Sequence, residues 1–298
     1  MSEAAPTKPP IKVSLWRDIA QGYSQYFYPH HLMSLLMYAI MRWRWRWFKD
    51  KLIAWFVTSY QVDMSEAAQP DITAYEHFNA FFTRKLLDGV RVPPKIKGAV
   101  LCPADGAVSQ IGEINRDSIL QAKSRFYSVV DLVGGEPSDA RPFQDGHFAT
   151  VYLSPRDYHR IHMPVAGQLC KMVYVPGRLF SVNGLTTRVI PHVFTRNERL
   201  VLTFNTTGGP MVVVMVGAIF VGSMETVWQG RVTPPYRRKV TTWHYEESEY
   251  IFEQGQEIGR FNMGSTVITL HPANTVHWAD GLAANSTVQV LQQIGHQL

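Results

Sequence analysis

Three short stretches hold residues that could act on one another. They are Pro103-Ala104-Asp105-Gly106, Asp157-Tyr158-His159-Arg160-Ile161-His162-Met163-Pro164 and Met263-Gly264-Ser265-Thr266. An aspartate, two histidines three apart and a serine are the parts of an Asp-His-Ser relay, in which the carboxylate orients an imidazole that takes the hydroxyl proton. Each stretch alone has a plainer reading: Asp-Gly is frequent in hairpin turns, Gly-Ser is commoner still, and a histidine can simply be bonded to a backbone carbonyl. His159 and His162 could also be a metal pair. The sequence places no third ligand and contains no His-Glu-x-x-His, so no metal is expected. Cys102 and Cys170 stand far apart and suggest neither a disulfide framework nor a thiolate zinc site. A Gly-x-Ser-x-Gly nucleophile elbow is absent, which removes the α/β-hydrolase form. Ser265 instead opens the β-branched run Thr266-Val267-Ile268-Thr269, with 34 residues from Ser265 to the end. That placement suggests another use for the serine.

These residues need a scaffold, and the chain of 298 residues, 46% apolar and 18% charged, is able to bury one large core or two modest ones. Its composition excludes disordered, collagenous and disulfide-scaffold classes. From residue 99 onward the pattern is one of short Val, Ile and aromatic runs broken by Gly and Pro. Strands are expected over 98–102, 107–114, 147–153, 168–175, 200–205, 211–221, 226–232 and 265–270. The fold class expected is α+β, with N-terminal amphipathic helices followed by a β-rich sandwich or barrel-like core. The division falls at 1–95 and 96–298. Thr73-Ala74-Tyr75-Glu76 reads as a capping box opening a short helix through Phe78, Phe81 and Phe82, and residues 131–146, with three Gly and two Pro, read as a mobile loop.

Charge is uneven along the chain. Residues 1–60 hold eight Lys and Arg against three acids, whereas the other 238 balance at 21 of each. The same 60 residues hold five of the eight tryptophans, so cations and amphipathic rings are concentrated together. Nothing between Pro29 and Pro70 breaks a helix, which predicts one long helix or two abutting ones, with Trp43 and Trp47 on one face and Arg42 and Arg46 beside them. Arg42, Trp43, Arg44, Trp45, Arg46 and Trp47 are read as an interfacial anchor for an anionic membrane surface. Packing of the same helix on the protein's own core is the competing reading. A nucleic acid partner is not expected, because the rest of the chain offers no basic track. Residues 32–41 are too short an apolar run to span a bilayer. The polar, Pro-rich leader before Trp16 does not resemble a secretory signal, so export is not expected.

The motifs carry a resemblance. Pro103 to Gly106, Tyr152-Leu153-Ser154-Pro155-Arg156-Asp157 running on to Pro164, Phe180-Ser181-Val182-Asn183, Asn197-Glu198-Arg199, the stretch 216–223 and Met263 to Thr266 resemble, in that order, the bacterial membrane-associated phosphatidylserine decarboxylases. The likeness runs from about Lys51 to the C-terminus. It departs at Met263, where leucine is usual, an exchange of similar volume.

The resemblance implies a proenzyme that cuts itself between Gly264 and Ser265 into a 264-residue β chain and a 34-residue α chain, turning Ser265 into a pyruvoyl group. The activity implied is conversion of phosphatidylserine to phosphatidylethanolamine and carbon dioxide through a Schiff base at that group, which is pyruvate covalently held. In this frame Ser265 Oγ attacks the Gly264 carbonyl, His162 is the base, and Asp105 holds the imidazole. His159 is the expected proton donor or carboxylate-orienting group in decarboxylation. The resemblance further implies a homodimer of processed αβ units, peripheral on the cytoplasmic side of the inner membrane. An anchor of this kind should be removable, so deleting residues 1–47 is expected to leave cleavage intact. The alternatives from other classes are a membrane-associated serine hydrolase using Ser265, His162 and Asp105 on an external ester, and a β-rich lipid-binding module.

Overall fold

The computed structural model describes residues 15–298 apart from Lys123, Val221, Gly222 and Gly264. The basic, Pro-rich leader, one residue of the expected cleavage pair and the end of the expected 211–221 strand therefore lie outside the described residues. Four helices come first: α1 (Leu15–Ser24), α2 (His30–Ile40), α3 (Arg46–Tyr60) and α4 (Phe78–Phe82). Of the two forms expected after Pro29, one long helix or two abutting ones, two helices are found, and they do not abut: the Arg-Trp repeat from Arg42 to Trp45 is a non-helical link between them. Alternation of Arg42, Arg44 and Arg46 with Trp43, Trp45 and Trp47 has a period of two. That period matches extended backbone, and at Trp45 the chain is extended (φ −64°, ψ 110°). The i, i+4 pairing of Trp43 with Trp47 and Arg42 with Arg46 on a helix face is thus corrected.

α3 and α4 build an aromatic cluster. Phe56 meets Phe78, Phe81 and Phe82 with ring centroids 5.1–6.0 Å apart, nearly edge to face, a geometry that suits the ring quadrupoles. The capping box expected at Thr73 is not formed. His77 Nδ1 accepts from the Ala80 N–H at 3.0 Å and caps α4, Asp71 caps a 3-10 turn over Ile72–Ala74, and Glu76 pairs with Arg44 at 2.7 Å.

Among the described residues the β region forms sheets of nine, four, three and two strands. The largest runs Thr241–His244, Gly167–Val175, Arg199–Thr206, Gly209–Val216, Thr266–His271, His147–Tyr152, Gly106–Glu113 and Thr287–Val288, with Ile251–Phe252 also paired to Gly167–Val175. The expected 226–232 strand is instead a hairpin of Met224–Thr226 with Gly230–Arg231. The stretch 131–146 is likewise not a bare loop. It carries short helices over Val129–Val133 and Pro137–Ala140, pinned by buried Leu132, Val133, Ala140 and Phe143. The α+β class and the helices-first order are as expected. Two apolar clusters result, one in the helices and one in the sheets, and Met263 packs against both.

Candidate active site

Three neighbouring strands bring the Asp105-Gly106 motif and Ser265 to one end of the large sheet. His147–Tyr152 lies between Gly106–Glu113 and Thr266–His271, and Tyr152 is level with both Ala107 and Thr266. One step further out the Leu153 N–H donates to the Ser265 carbonyl at 2.9 Å. Gly106 has φ +156°, and a Cβ there would run into the Tyr152 carbonyl oxygen. The glycine of Asp105-Gly106 is needed for close approach between strands, not for a hairpin turn.

Ser265 is fully buried, and among the described residues its Oγ has no hydrogen-bond partner. Just upstream Met263 stands at φ +118°, a region that strongly favours glycine. Such a residue stores on the order of 1–3 kcal/mol and persists only when its surroundings impose it. Strain and an unpaired hydroxyl thus flank the expected cut, whose Gly264 lies outside the described residues.

His162 closes the strand Arg160–His162, and its N–H donates to the Pro103 carbonyl at 2.9 Å, which ties it to the Asp105 turn. Its Nδ1 lies 2.8 Å from the Gly255 carbonyl and its Nε2 3.0 Å from the Tyr158 hydroxyl. A carbonyl only accepts, so Nδ1 carries the proton and Nε2 presents its lone pair to Tyr158. Burial lowers the imidazole pKa, against the opposing effects of the Gly255 carbonyl, Glu257 and Asp105. Asp105 is bonded elsewhere. One oxygen accepts from the Val290 N–H at 2.7 Å and the other from Arg91 at 3.2 Å, while Arg91 also forks onto Glu66 at 2.7 and 2.8 Å. Asp105 and Ser265 stand at one end of the large sheet, and His162, on the four-stranded sheet, is tied to the Asp105 turn through its backbone. No hydrogen bond joins Asp105 to His162 or His162 to Ser265, so the relay expected from the motifs is not connected.

His159 is fully buried and stacks on Phe82 with centroids 4.1 Å apart. Its carbonyl accepts from the Phe261 N–H at 3.0 Å, four residues before Ser265. Burial, and then the neighbouring Arg84 charge, push its pKa down to about 3. It is a neutral imidazole in the folded chain, and so not a standing cationic acid.

A cavity of about 350 Å³ opens beside this segment, lined by Phe56, Phe82, Tyr152, Ser181, Phe220 and Met263 among others. Its walls explain several motifs. Asn197 bonds the Phe180 N–H and carbonyl and the Gly217 carbonyl at 2.8–3.0 Å, fastening two wall segments together. Asn183 caps the following helix through the Thr186 N–H. From the N-terminal helices, Gln25 accepts from the Ser181 N–H at 2.8 Å and His30 from the Leu179 N–H at 3.3 Å. Reading the sequence missed Tyr158, Arg91 and Gln25. Tyr158 sat inside a recognised motif, but no spacing announced the other two.

The model for phosphatidylserine decarboxylase matches residues 78–296, and a second model, PSD, matches residues 22–61. A protein of Pseudomonas fluorescens named phosphatidylserine decarboxylase proenzyme is 55% identical over 91% of this chain and 95% of its own length. One of Pseudomonas aeruginosa with the same name is 56% identical over 90% and 93%. The chain belongs to the phosphatidylserine decarboxylase family. It is an enzyme of that family, and among the described residues no helix is long and apolar enough to cross a membrane.

In this decarboxylase the expected anchor residues divide into two groups. Trp43, Trp45 and Trp47 are each more than half exposed and lie against one another with centroids 5.5–6.2 Å apart. Arg44 and Arg46 are also exposed. Arg42 turns inward instead, over the Tyr38 ring at 3.6 Å and toward Glu225 at 3.7 Å. It serves the protein's own interior.

Proposed function

We propose that the chain is a proenzyme that cuts itself between Gly264 and Ser265 and then decarboxylates phosphatidylserine with the pyruvoyl group made from Ser265. The observation that carries this reading is the buried, unpaired Ser265 Oγ held between a strained Met263 and a central strand. A hydrolase acting on an external ester needs an accessible hydroxyl, and this one has no exposure.

In the cut, Ser265 Oγ bonds to the Gly264 carbonyl carbon, the C–N bond breaks, and the proton passes through a base to the departing amine. His162 is the base by virtue of its fixed tautomer, once Nε2 is released from Tyr158. Asp105 raises the imidazole's affinity for that proton by its charge and fastens residue 290 of the future α chain. Elimination of the Gly264 carboxylate and addition of water, with loss of ammonia, complete the conversion. The buried Ser265 and the adjoining cavity fit a group generated in place. Such a group would supply an electrophilic carbonyl for the substrate amine and a sink for the electron pair left by carbon dioxide. Tyr152 lines the cavity and His159 stacks on Phe82 of its wall; the role assigned to the neutral His159 imidazole is to orient a carboxylate or return a proton to carbon.

The enzyme docks on an anionic leaflet through its N-terminal region. Twelve of the 21 exposed large apolar side chains found among the described residues fall within 23–60, including Leu32, Leu35 and Leu36 on α2 beside the tryptophans. Exposed apolar side chains and exposed arginines concentrated in one segment suit headgroup depth. The two units of the chain are then 1–95, which meets the membrane, and 96–298, which carries the chemistry. Ser265→Ala tests the reading: the variant should remain one chain and release no carbon dioxide from phosphatidylserine. A Ser265→Ala protein with ordinary activity would refute it.

A further inference from the structure

Asn262 lies between the strand Glu257–Phe261 and the strained Met263, and it is 4% exposed. Its side-chain NH2 donates to Ser223 Oγ at 2.8 Å and to Glu225 at 2.9 Å, and its carbonyl accepts from Asn79 at 2.8 Å. Its backbone N–H also donates to the Ser223 carbonyl at 3.0 Å. A buried amide is costly unless it is bonded, and this one is bonded from three directions by residues that are themselves tied down. Glu225 takes two bonds from Arg260 at 2.6 and 2.7 Å and faces Arg42 at 3.7 Å. Asn79, on α4, donates its backbone N–H to the Met41 carbonyl at 2.9 Å.

Downstream the chain is fixed just as firmly, by the Leu153 bond to the Ser265 carbonyl and by the pairing of Thr266 with Tyr152 and Val216. Met263 and Gly264 alone bridge the two fixed points, and Met263 bears the strain. We propose that Asn262 is a positioning residue for self-cleavage: its clamp to Asn79, Ser223 and Glu225 fixes the chain ahead of Ser265, so that the carbonyl to be attacked is held within reach of the hydroxyl. The proposal rests on the self-cleavage reading. It also makes the N-terminal helices part of the machinery, since Met41 and Arg42 anchor the far side of the clamp. Deletion of residues 1–47 should therefore slow cleavage, contrary to what a detachable anchor would do.

The test follows cleavage by intact mass in full-length chain newly made by cell-free translation, with and without hydroxylamine, which cuts an ester but not an amide under mild conditions. Misplacement of about 1 Å can cost on the order of 100-fold, so Asn262→Leu and Asn79→Ala should slow cleavage by about 10- to 100-fold and accumulate no hydroxylamine-sensitive ester. Asn262→Asp sets two carboxylates together and should also be slow. Adding Glu225→Gln to it restores the bonds with donor and acceptor exchanged, and should recover most of the rate, which a loss of packing would not do. Thermal unfolding checks that each variant is folded, and Ser223→Ala, which removes one bond only, carries the test if the larger changes unfold the chain. Parental cleavage rates in folded variants would overturn the clamp. A parent chain that stays whole would overturn self-cleavage and the clamp with it.

Discussion

The two histidines, three residues apart, sit in different surroundings, and their proposed duties differ on that ground. His162 keeps a defined tautomer between Gly255 and Tyr158, while His159 is buried against Phe82 under the influence of Arg84. His162 works as a base only when neutral, and burial has already lowered its pKa from the ordinary 6.5. The cleavage rate should therefore be level above pH 7 and fall only as acid protonates the ring, as a stopped time course across pH would show. A rate still climbing between pH 7 and 9 would assign the base elsewhere. His159→Gln should be cut normally yet decarboxylate about 100-fold more slowly or worse, measured as carbon dioxide released per cut chain. The sequence made the types and order of these residues legible, Asp105, His159, His162 and Ser265 alike. It did not show their partners, because Arg91, Val290 and Gly255 reach them from distant segments through packing that no local spacing encodes.

Elements were legible where one period dominated. The β-branched runs at 147–152, 167–175 and 266–271 alternate or stay apolar over a strand's length and form strands there. The pieces at 224–226 and 230–231 are too short to register as separate strands, and the Arg-Trp link was read at the helical period when its own period was two. The membrane role proposed for that link can be measured. Replacing Trp43, Trp45 and Trp47 together by alanine should weaken partition onto anionic vesicles by at least about tenfold, given roughly 25 cal/mol per Å² of apolar surface buried. Cleavage should be unaffected, since none of the three enters the Asn262 clamp. Retained vesicle binding in sedimentation would place the membrane contact elsewhere, with the exposed leucines of α2 the next surface to test.

At the scale of the molecule, the proposed cut falls beside the centre of the largest sheet. The 34-residue piece from Ser265 onward contributes the strand Thr266–His271 between two strands of the other piece, and its last strand, Gln293–Gln297, pairs with Ala99–Leu101. The two chains should therefore stay together after cleavage, with one native size by light scattering and separation only in denaturant. Stability should fall on acidification, because His159 and His271 are buried neutral with pKa values near 3. Unfolding lets both bind protons, so their contribution is complete above about pH 6.5 and is lost progressively toward pH 3. A melting temperature unchanged between pH 7 and 4.5 would contradict that. The most direct test of the central claim is the intact mass of purified enzyme before and after cyanoborohydride treatment with phosphatidylserine. The account predicts two chains divided at Gly264 and Ser265, with only the smaller gaining a substrate-derived mass on reduction. A single unmodified chain of 298 residues from active protein would contradict it.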